Sequence, residues 1–355
     1  MGRGLLTFFA ALALAAPARA GDFYAGKTIR LVVNFAAGGA ADLEARVFAR
    51  HAARHVRGEP KILASNLDGA GGMAGINFIA RDPVRDGLTA GYFTGFGARA
   101  VFSPEGFRAD PLTFEMIGFN PGAAIYFARA DIEPGLKTPT DIMKARGIFA
   151  AGISASASKD VTARLTLDML GLKHGYLPGY AGTTSVRMAL EKGEVNFYSE
   201  NRPAYQSIIA PLVKSGAVLP LWCDPGVAGD RLYVVRSVAD LPVKPFHEFF
   251  REVKGVYPSG ELWDAYRAML GVNASLLRTI VLPPDSPKDA VEALRAAVAE
   301  LNEDGEFIEE ATKILGFAPR YETGAGLNEQ ARRMLRPGPE TKSFIEAYIA
   351  RAGGR

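Results

Sequence analysis

Apolar and polar positions along the chain switch repeatedly between two periods. The run TIRLVVNF, residues 28–35, is β-branched and apolar and predicts a strand. After AAGGAAD, the segment LEARVFARHAARHV places Ala45, Phe48, Ala52 and Val56 at helical spacing, with Arg46, Arg50 and Arg57 on other faces. The same order recurs in KILASNL, DGAGGMAG and INFIAR, and again in GIFAAGI, SASASKD and VTARLTLDML. A fourth unit reads HGYLPGY, AGTT and SVRMALEKG, and EVNFYSEN then returns as a strand. Such alternation predicts an α/β fold with largely parallel sheets. Small residues form the junctions: Gly38-Gly39-Ala40-Ala41, Gly69-Ala70-Gly71-Gly72, Ser154-Ala155-Ser156-Ala157-Ser158 and Tyr180-Ala181-Gly182-Thr183. Small residues let backbone approach a ligand, and the first N–H groups of a helix, aided by its dipole, attract anions. In open α/β sheets these loops gather at the carboxyl ends of strands. Two such loops in each half predict a cleft between two domains, lined by backbone donors and hydroxyls.

The opening MGRGLLTFFAALALAAPARA has Arg3, an apolar run over residues 5–16 and a final A-x-A. It reads as a secretory signal peptide, residues 1–20, with cleavage before Gly21 and a periplasmic destination. This changes the reading of GDFYAGKT, residues 21–28, which matches G-x-x-x-x-G-K-[ST]. A P-loop needs a strand before it and a helix after it. Cleavage removes the first and the run TIRLVVNF denies the second, so Gly26-Lys27 reads as a turn into the first strand.

Charge and chemistry narrow the function further. The chain has 41 basic and 38 acidic residues, with two of the basic ones in the leader, and no basic cluster that suits nucleic acid. Cys223 is the single cysteine, which excludes an internal disulfide and a cysteine metal cluster. His51 and His55 are four apart but lack the H-E-x-x-H pattern, and read as a solvated helix face. No G-x-S-x-G elbow occurs. A secreted serine esterase, the alternative from another class, would need Ser154 or Ser158 beside a histidine and an acid. The preferred reading is a non-catalytic binder without cofactor or metal.

At the four loops the chain resembles the Bug, or TctC-like, family of extracytoplasmic solute-binding proteins of tripartite tricarboxylate transporters. The family's P-F-x-P-G-G-x-[TS]-D is represented by residues 34–42, NFAAGGAAD, and its E-N-R-x-G-A-G-G-x-x-G by residues 65–75, SNLDGAGGMAG. Arg85-Asp86-Gly87-Leu88-Thr89 stands for P-D-G-Y-T, and Gly179-Tyr180-Ala181-Gly182 with Gly193-Glu194-Val195-Asn196 for Y-x-G and G-x-V-D. The resemblance implies a type II periplasmic-binding-protein-like fold, two α/β domains around a ligand cleft joined by hinge crossings. It implies a small organic carboxylate as ligand: a di- or tricarboxylate, an aromatic acid or an acidic amino acid. The partner it implies is a membrane permease of large and small subunits, served by a monomer. A sensor that passes the ligand signal to a membrane receptor is the alternative.

The expected ligand-binding residues follow loop by loop. Phe35, Ala37, Gly38, Gly39, Ala40, Ala41 and Asp42 form the first loop and Gly71 and Gly72 the second. Ser154, Ser156, Ser158, Tyr180, Gly182, Thr183 and Asn201 are expected from the second domain. Asp42 fits a helix N-cap that accepts backbone hydrogen bonds. Arg99 and Arg202, each just past a strand, are the candidates for a bidentate grip on a distal carboxylate, against a solvated surface reading. Phe35, Phe96, Tyr180 and Tyr205 offer either cleft walls or core. Crossings near Pro121-Gly122 and Asp224-Pro225-Gly226 divide the mature chain into domain one, 21–122 and 226–355, and domain two, 123–225. Ala36, Ala37 and Ala41 depart from the family's prolines and hydroxyl residue, and Ser286-Pro287 is expected to start a late helix.

Overall fold

A computed structural model describes residues 23–82, 84–102, 106–180, 183–228, 231–274 and 276–353. The expected leader, Ala181 and Gly182 lie outside the described residues. Along the chain come β1 (Thr28–Val33), α1 (Ala40–Ala52), β2 (Lys61–Asn66), α2 (Met73–Ala80), β3 (Thr89–Thr94) and α3 (Phe96–Phe102). Then follow β4 (Glu115–Asn120), β5 (Ala124–Arg129), β6 (Ile148–Ala151), α4 (Ser158–Leu170), β7 (His174–Leu177), α5 (Thr183–Lys192) and β8 (Phe197–Asn201). Helices α6 (Arg202–Ala204) and α7 (Ala210–Lys214) are joined by a π turn over Tyr205–Ile209. The rest comprises β9 (Val218–Cys223), β10 (Gly226–Ala228), β11 (Arg231–Tyr233), β12 (Lys244–Pro245), α8 (Phe246–Lys254), α9 (Glu261–Asn273) and β13 (Arg278–Leu282). Four helices close the chain: α10 (Lys288–Leu301), α11 (Gly305–Leu315), α12 (Leu327–Met334) and α13 (Pro339–Gly353).

The first sheet has the order β2-β1-β3-β13-β4, with β1 parallel to β2 and β3, and β13 antiparallel to β3 and β4. Its interior strands are apolar on both faces because both faces are covered. Leu31, Val33 and Tyr92 pack with Ala45, Phe48, Leu294 and Phe307 on one side. Val32, Phe93 and Val281 pack with Ile76, Phe96 and Leu327 on the other. The second sheet runs β12-β9-β5-β8-β6-β7, and here β5 alone opposes its neighbours. Gly26, in the left-handed region, turns the chain into β1, and the Lys27 N–H donates to Tyr24 O at 3.0 Å. A strand, and not the helix of a P-loop, follows Lys27.

The return from the second sheet falls later than Gly226. Strand β12 is bonded to β9, and Phe246, Phe249, Trp263 and Tyr266 share a core with Tyr126 and Trp222. These are long-range pairings that the local pattern does not display. The chain rejoins the first sheet only at β13, and α13 crosses once more, burying Ile345 and Tyr348 in the second core. At the hinge, Gly122 lies against Ala274 and Leu277: the Gly122 N–H donates to Ala274 O at 2.8 Å. A Cβ at Gly122 would stand 2.0 Å from Leu277 Cδ2, so glycine permits this approach. β4 ends at the carboxyl edge of its sheet, and β5 begins opposite Asn201 and Cys223, the carboxyl ends of β8 and β9. The carboxyl edges of the two sheets therefore meet at the hinge, with the small-residue loops along both.

Two local expectations change in this setting. The N-cap of α10 is Pro287, and Ser286 Oγ donates instead to Pro283 O at 2.9 Å. His51 is buried rather than solvated, because the acidic side of α11 covers α1: His51 Nε2 meets Glu310 Oε2 at 2.5 Å and His55 Nε2 meets Asp304 Oδ2 at 2.7 Å.

Candidate functional site

The first loop is held from beneath by one carboxylate. Asp42 is the third residue of α1, whose N-cap is Gly39, so it is not the cap the sequence suggested. Buried, its Oδ2 accepts from the Gly38 N–H at 2.8 Å and its Oδ1 from Asn66 Nδ2 at 2.9 Å. Burial alone would raise this carboxyl; hydrogen bonds from Arg46, Gly38 and Asn66 outweigh it and leave the group below its ordinary value. The Gly38 N–H is thus occupied. The N–H groups of Ala40 and Ala41 open the helix and have no acceptor within it. Ala36, Ala37, Gly38 and Gly39 are exposed, and Phe35 is half-buried beneath them.

Asn34, absent from the sequence-derived list, ties three loops together. It is fully buried; its Nδ2 donates to Gly72 O at 3.3 Å and Thr94 O at 3.1 Å, and its Oδ1 accepts from the Thr94 N–H at 2.9 Å. The second loop turns through left-handed Gly71 and Gly72, and the Gly72 N–H donates to Gly69 O at 2.8 Å. Gly72 therefore contributes space and curvature, since its own N–H closes the turn. Arg99 occupies the gap between the three loops. Its Nη1 donates to Gly95 O at 2.9 Å and Thr94 O at 3.2 Å, its Cζ lies 5.8 Å from the Phe35 ring centre, and Nη2 lies 3.5 Å from where a Gly71 Cβ would be. Burial lowers it to about 10, which leaves it protonated at neutral pH. No carboxylate among the described residues pairs with it.

The second edge repeats the first in outline. Asp160, third residue of α4, accepts from the Ile153 N–H at 2.6 Å, the Ser154 N–H at 2.9 Å and Tyr176 Oη at 3.1 Å. It does for this loop what Asp42 does for the first, and its role went unread because both partners precede it in a featureless serine-alanine run. Ser154 and Ser158 are half-buried and Ser156 is exposed, so the hydroxyl loop lies at the surface of this edge. Lys159 reaches across the end of β8, donating to Tyr198 Oη at 2.6 Å and Glu200 Oε1 at 2.8 Å. Tyr180 is half-buried, its N–H donating to Gly152 O at 3.1 Å, and α5 begins at Thr183.

Two expected site residues, Arg202 and Phe96, lie elsewhere, as does Tyr205, for which the sequence leaves wall and core both open. Arg202 is buried and bound bidentately by Asp240, Nη1 to Oδ1 at 2.6 Å and Nη2 to Oδ2 at 2.8 Å, so its fork is already filled. Phe96 is fully buried, edge-on to Phe107 and Phe114, as core and not cleft wall. Tyr205 packs likewise against Phe127.

Burial pushes the carboxyls of Asp160 and Asp224 up to about 6, against lowering by Lys159 and the loop N–H groups in the first case and by Tyr266 and Tyr126 in the second. An unfolded carboxyl titrates near 3.9, so between about pH 4 and 6 the folded chain holds protons that the unfolded chain has lost. The stability these groups lend is complete below that window and disappears as pH rises through about 6. In Asp160→Asn the amide oxygen still accepts from Ile153 and Ser154, and the fall in melting temperature across this window should be shallower than in the wild type. Parallel curves for the two proteins would contradict the assignment.

No protein-family model matches the sequence, and no curated protein matches it. Solved structures do. The periplasmic binding protein BugD is similar with a TM-score of 0.63 at 22% identity, over 92% of this chain and 98% of that one. Rpa4515 of R. palustris, solved with adipate, gives 0.64 at 20% identity, over 93% and 98%. MatC (Rpa3494) of Rhodopseudomonas palustris, with bound malate, gives 0.59 at 20% identity, over 91% and 99%. The chain thus has the two-domain α/β fold of periplasmic binding proteins.

Proposed function

We infer that the chain belongs to the Bug, or TctC-like, family and is an exported solute-binding protein that captures a small organic carboxylate between its domains. The observation that carries this reading is the first edge: the opening N–H groups of α1 at Ala40 and Ala41, with the Arg99 guanidinium, without a carboxylate partner among the described residues, in the same cluster of loops. Such donors favour an anion through the helix dipole and through charge-assisted hydrogen bonds. Ser154, Ser156 and Asn201 would meet the other end of the ligand from the second edge. Domain one in this reading ends at 122 and resumes near 277, and domain two spans 123 to about 274 with α13. A ligand touching both edges would favour closure about the paired crossings, because it binds the closed state better than the open one. The closed form would then deliver its cargo to a tripartite tricarboxylate-type permease from the periplasm.

The test is thermal unfolding of the chain from Gly21 onward with malate, with adipate and with the corresponding diamides. A ligand that binds only the folded state raises the melting temperature with concentration. A rise with an acid that its diamide does not produce is expected. Flat traces with a broad panel of carboxylates would sink the reading.

A further inference from the structure

We propose that the site accepts a ligand bearing one uncompensated carboxylate, with Arg99 as its ion-pair partner, and discriminates against dianions. This rests on the carboxylate-binding reading above and specifies its ligand class.

The charges along the two edges support it. On the first edge Asp42 is paired with Arg46 at 2.9 Å and Glu44 with Arg278 at 2.8 Å. On the second, Lys159 is paired with Glu200 at 2.8 Å, and Arg202 with Asp240 at 2.6 Å. Asp160 takes the Ile153 and Ser154 N–H groups, and Arg164 behind it donates Nε to Asp160 O at 3.2 Å and lies over the rings of Tyr176 and Tyr348. Asp224 faces Tyr126 and Tyr266 in the core between β9 and α9, and Asp68 is exposed on the rim of the second loop. Arg99 has no carboxylate partner among the described residues; it is a partly buried cation whose hydrogen bonds there go to two carbonyls. Those carbonyls fix one end of the guanidinium, so little side-chain entropy remains to be lost when a carboxylate arrives.

A second carboxylate, reaching toward domain two, would find the Lys159 ammonium already directed to Tyr198 Oη at 2.6 Å, Glu200 Oε1 at 2.8 Å and Ser199 O at 3.4 Å. An ammonium has three donors, so this set is complete. The Glu200 carboxylate beside it would repel a second anion, whereas a hydroxyl or amide carries no such penalty. Arg99 thus offers one ion pair to a ligand, and the ammonium on the opposite edge offers no second.

Calorimetric titration of the chain from Gly21 onward, near neutral pH, separates the alternatives with four probes: adipate, its monoamide, malate and its monoamide. The monoamide is expected to bind at least about tenfold more tightly than the parent dianion in one of the two pairs. Arg99→Gln should weaken that monoamide by about 100-fold, with Arg99→Lys recovering part of the loss. A dianion that binds more tightly than its monoamide in both pairs would overturn the single-charge assignment while leaving a carboxylate binder. Wild-type affinity in Arg99→Gln would remove Arg99 from the site. Absence of binding by all four in the wild type, together with flat thermal traces across the wider panel, would defeat the underlying reading instead. The wild-type comparison decides the charge question even if Arg99→Gln does not fold.

Discussion

Arg278→Met should be the most damaging single change in the first domain, lowering stability by about 3–5 kcal/mol. Arg278 is 1% exposed and Glu44 2%, a buried pair whose separation leaves a lone carboxylate in the core. The arginine is the first residue of β13, in register with Thr94 of β3 and Asn120 of β4. Its Nε donates to Glu44 Oε2 at 2.8 Å, its Nη1 to Thr94 Oγ1 at 3.0 Å, and Asn120 Nδ2 donates to Glu44 Oε1 at 3.0 Å. One network therefore joins three strand ends to α1, directly under the loops that would hold the ligand. The double variant Glu44→Gln with Arg278→Met has no buried ion and should unfold at higher denaturant than Arg278→Met alone. Strictly additive losses in this cycle would mean that the two side chains are not coupled.

Gly72→Ala is expected to weaken ligand binding by at least about tenfold and to lower stability by about 2–4 kcal/mol. Two causes combine. Gly72 has a φ of 98°, where an L side chain is strained. Its Cβ would also stand 2.7 Å from Asn34 Nδ2 and 3.2 Å from both Asn34 O and Phe35 Cε2, displacing the amide that joins the three loops. Gly69→Ala separates the two causes. Gly69 has a φ of 118°, but a Cβ there meets only Ala74 Cβ, at an ordinary 3.5 Å. It should carry the backbone strain and spare the Asn34 staple, so its cost should be the smaller, mostly in stability rather than affinity. Equal losses of affinity at both positions would show that curvature of the loop, and not the staple, sets the site.

Local signals were enough for a good part of this architecture. The predicted strand runs became β1, β2, β6, β7 and β8, the helical spacing of Ala45, Phe48 and Ala52 became the buried side of α1, and the glycine and serine runs became strand-to-helix loops. These follow from residue-scale preferences and from spacing within a few turns. Arg99 and Arg202 were indistinguishable by such signals, since each follows a strand. They are separated by Asp240, 38 residues beyond Arg202, which fills one fork and has no counterpart among the described residues at the other. Phe96 is likewise the first residue after a loop, and only the packing of Phe107 and Phe114 against it makes it core.

By itself, then, the sequence determined the α/β alternation, the small-residue loops and the lack of P-loop context around Lys27, because each depends on neighbours within a short stretch of chain. The tertiary structure decided which N–H groups remain open at those loops. Asp42 takes that of Gly38, Asp160 those of Ile153 and Ser154, and the turn to Gly69 takes that of Gly72. It also decided that the second sheet keeps the chain as far as α9, since β12 finds its partner only when β9 is already in place. Asn34 is the plainest case: a polar residue ending an apolar strand, given its role by Gly72 and Thr94, which lie 38 and 60 residues along the chain and reach it only through the order of the sheet.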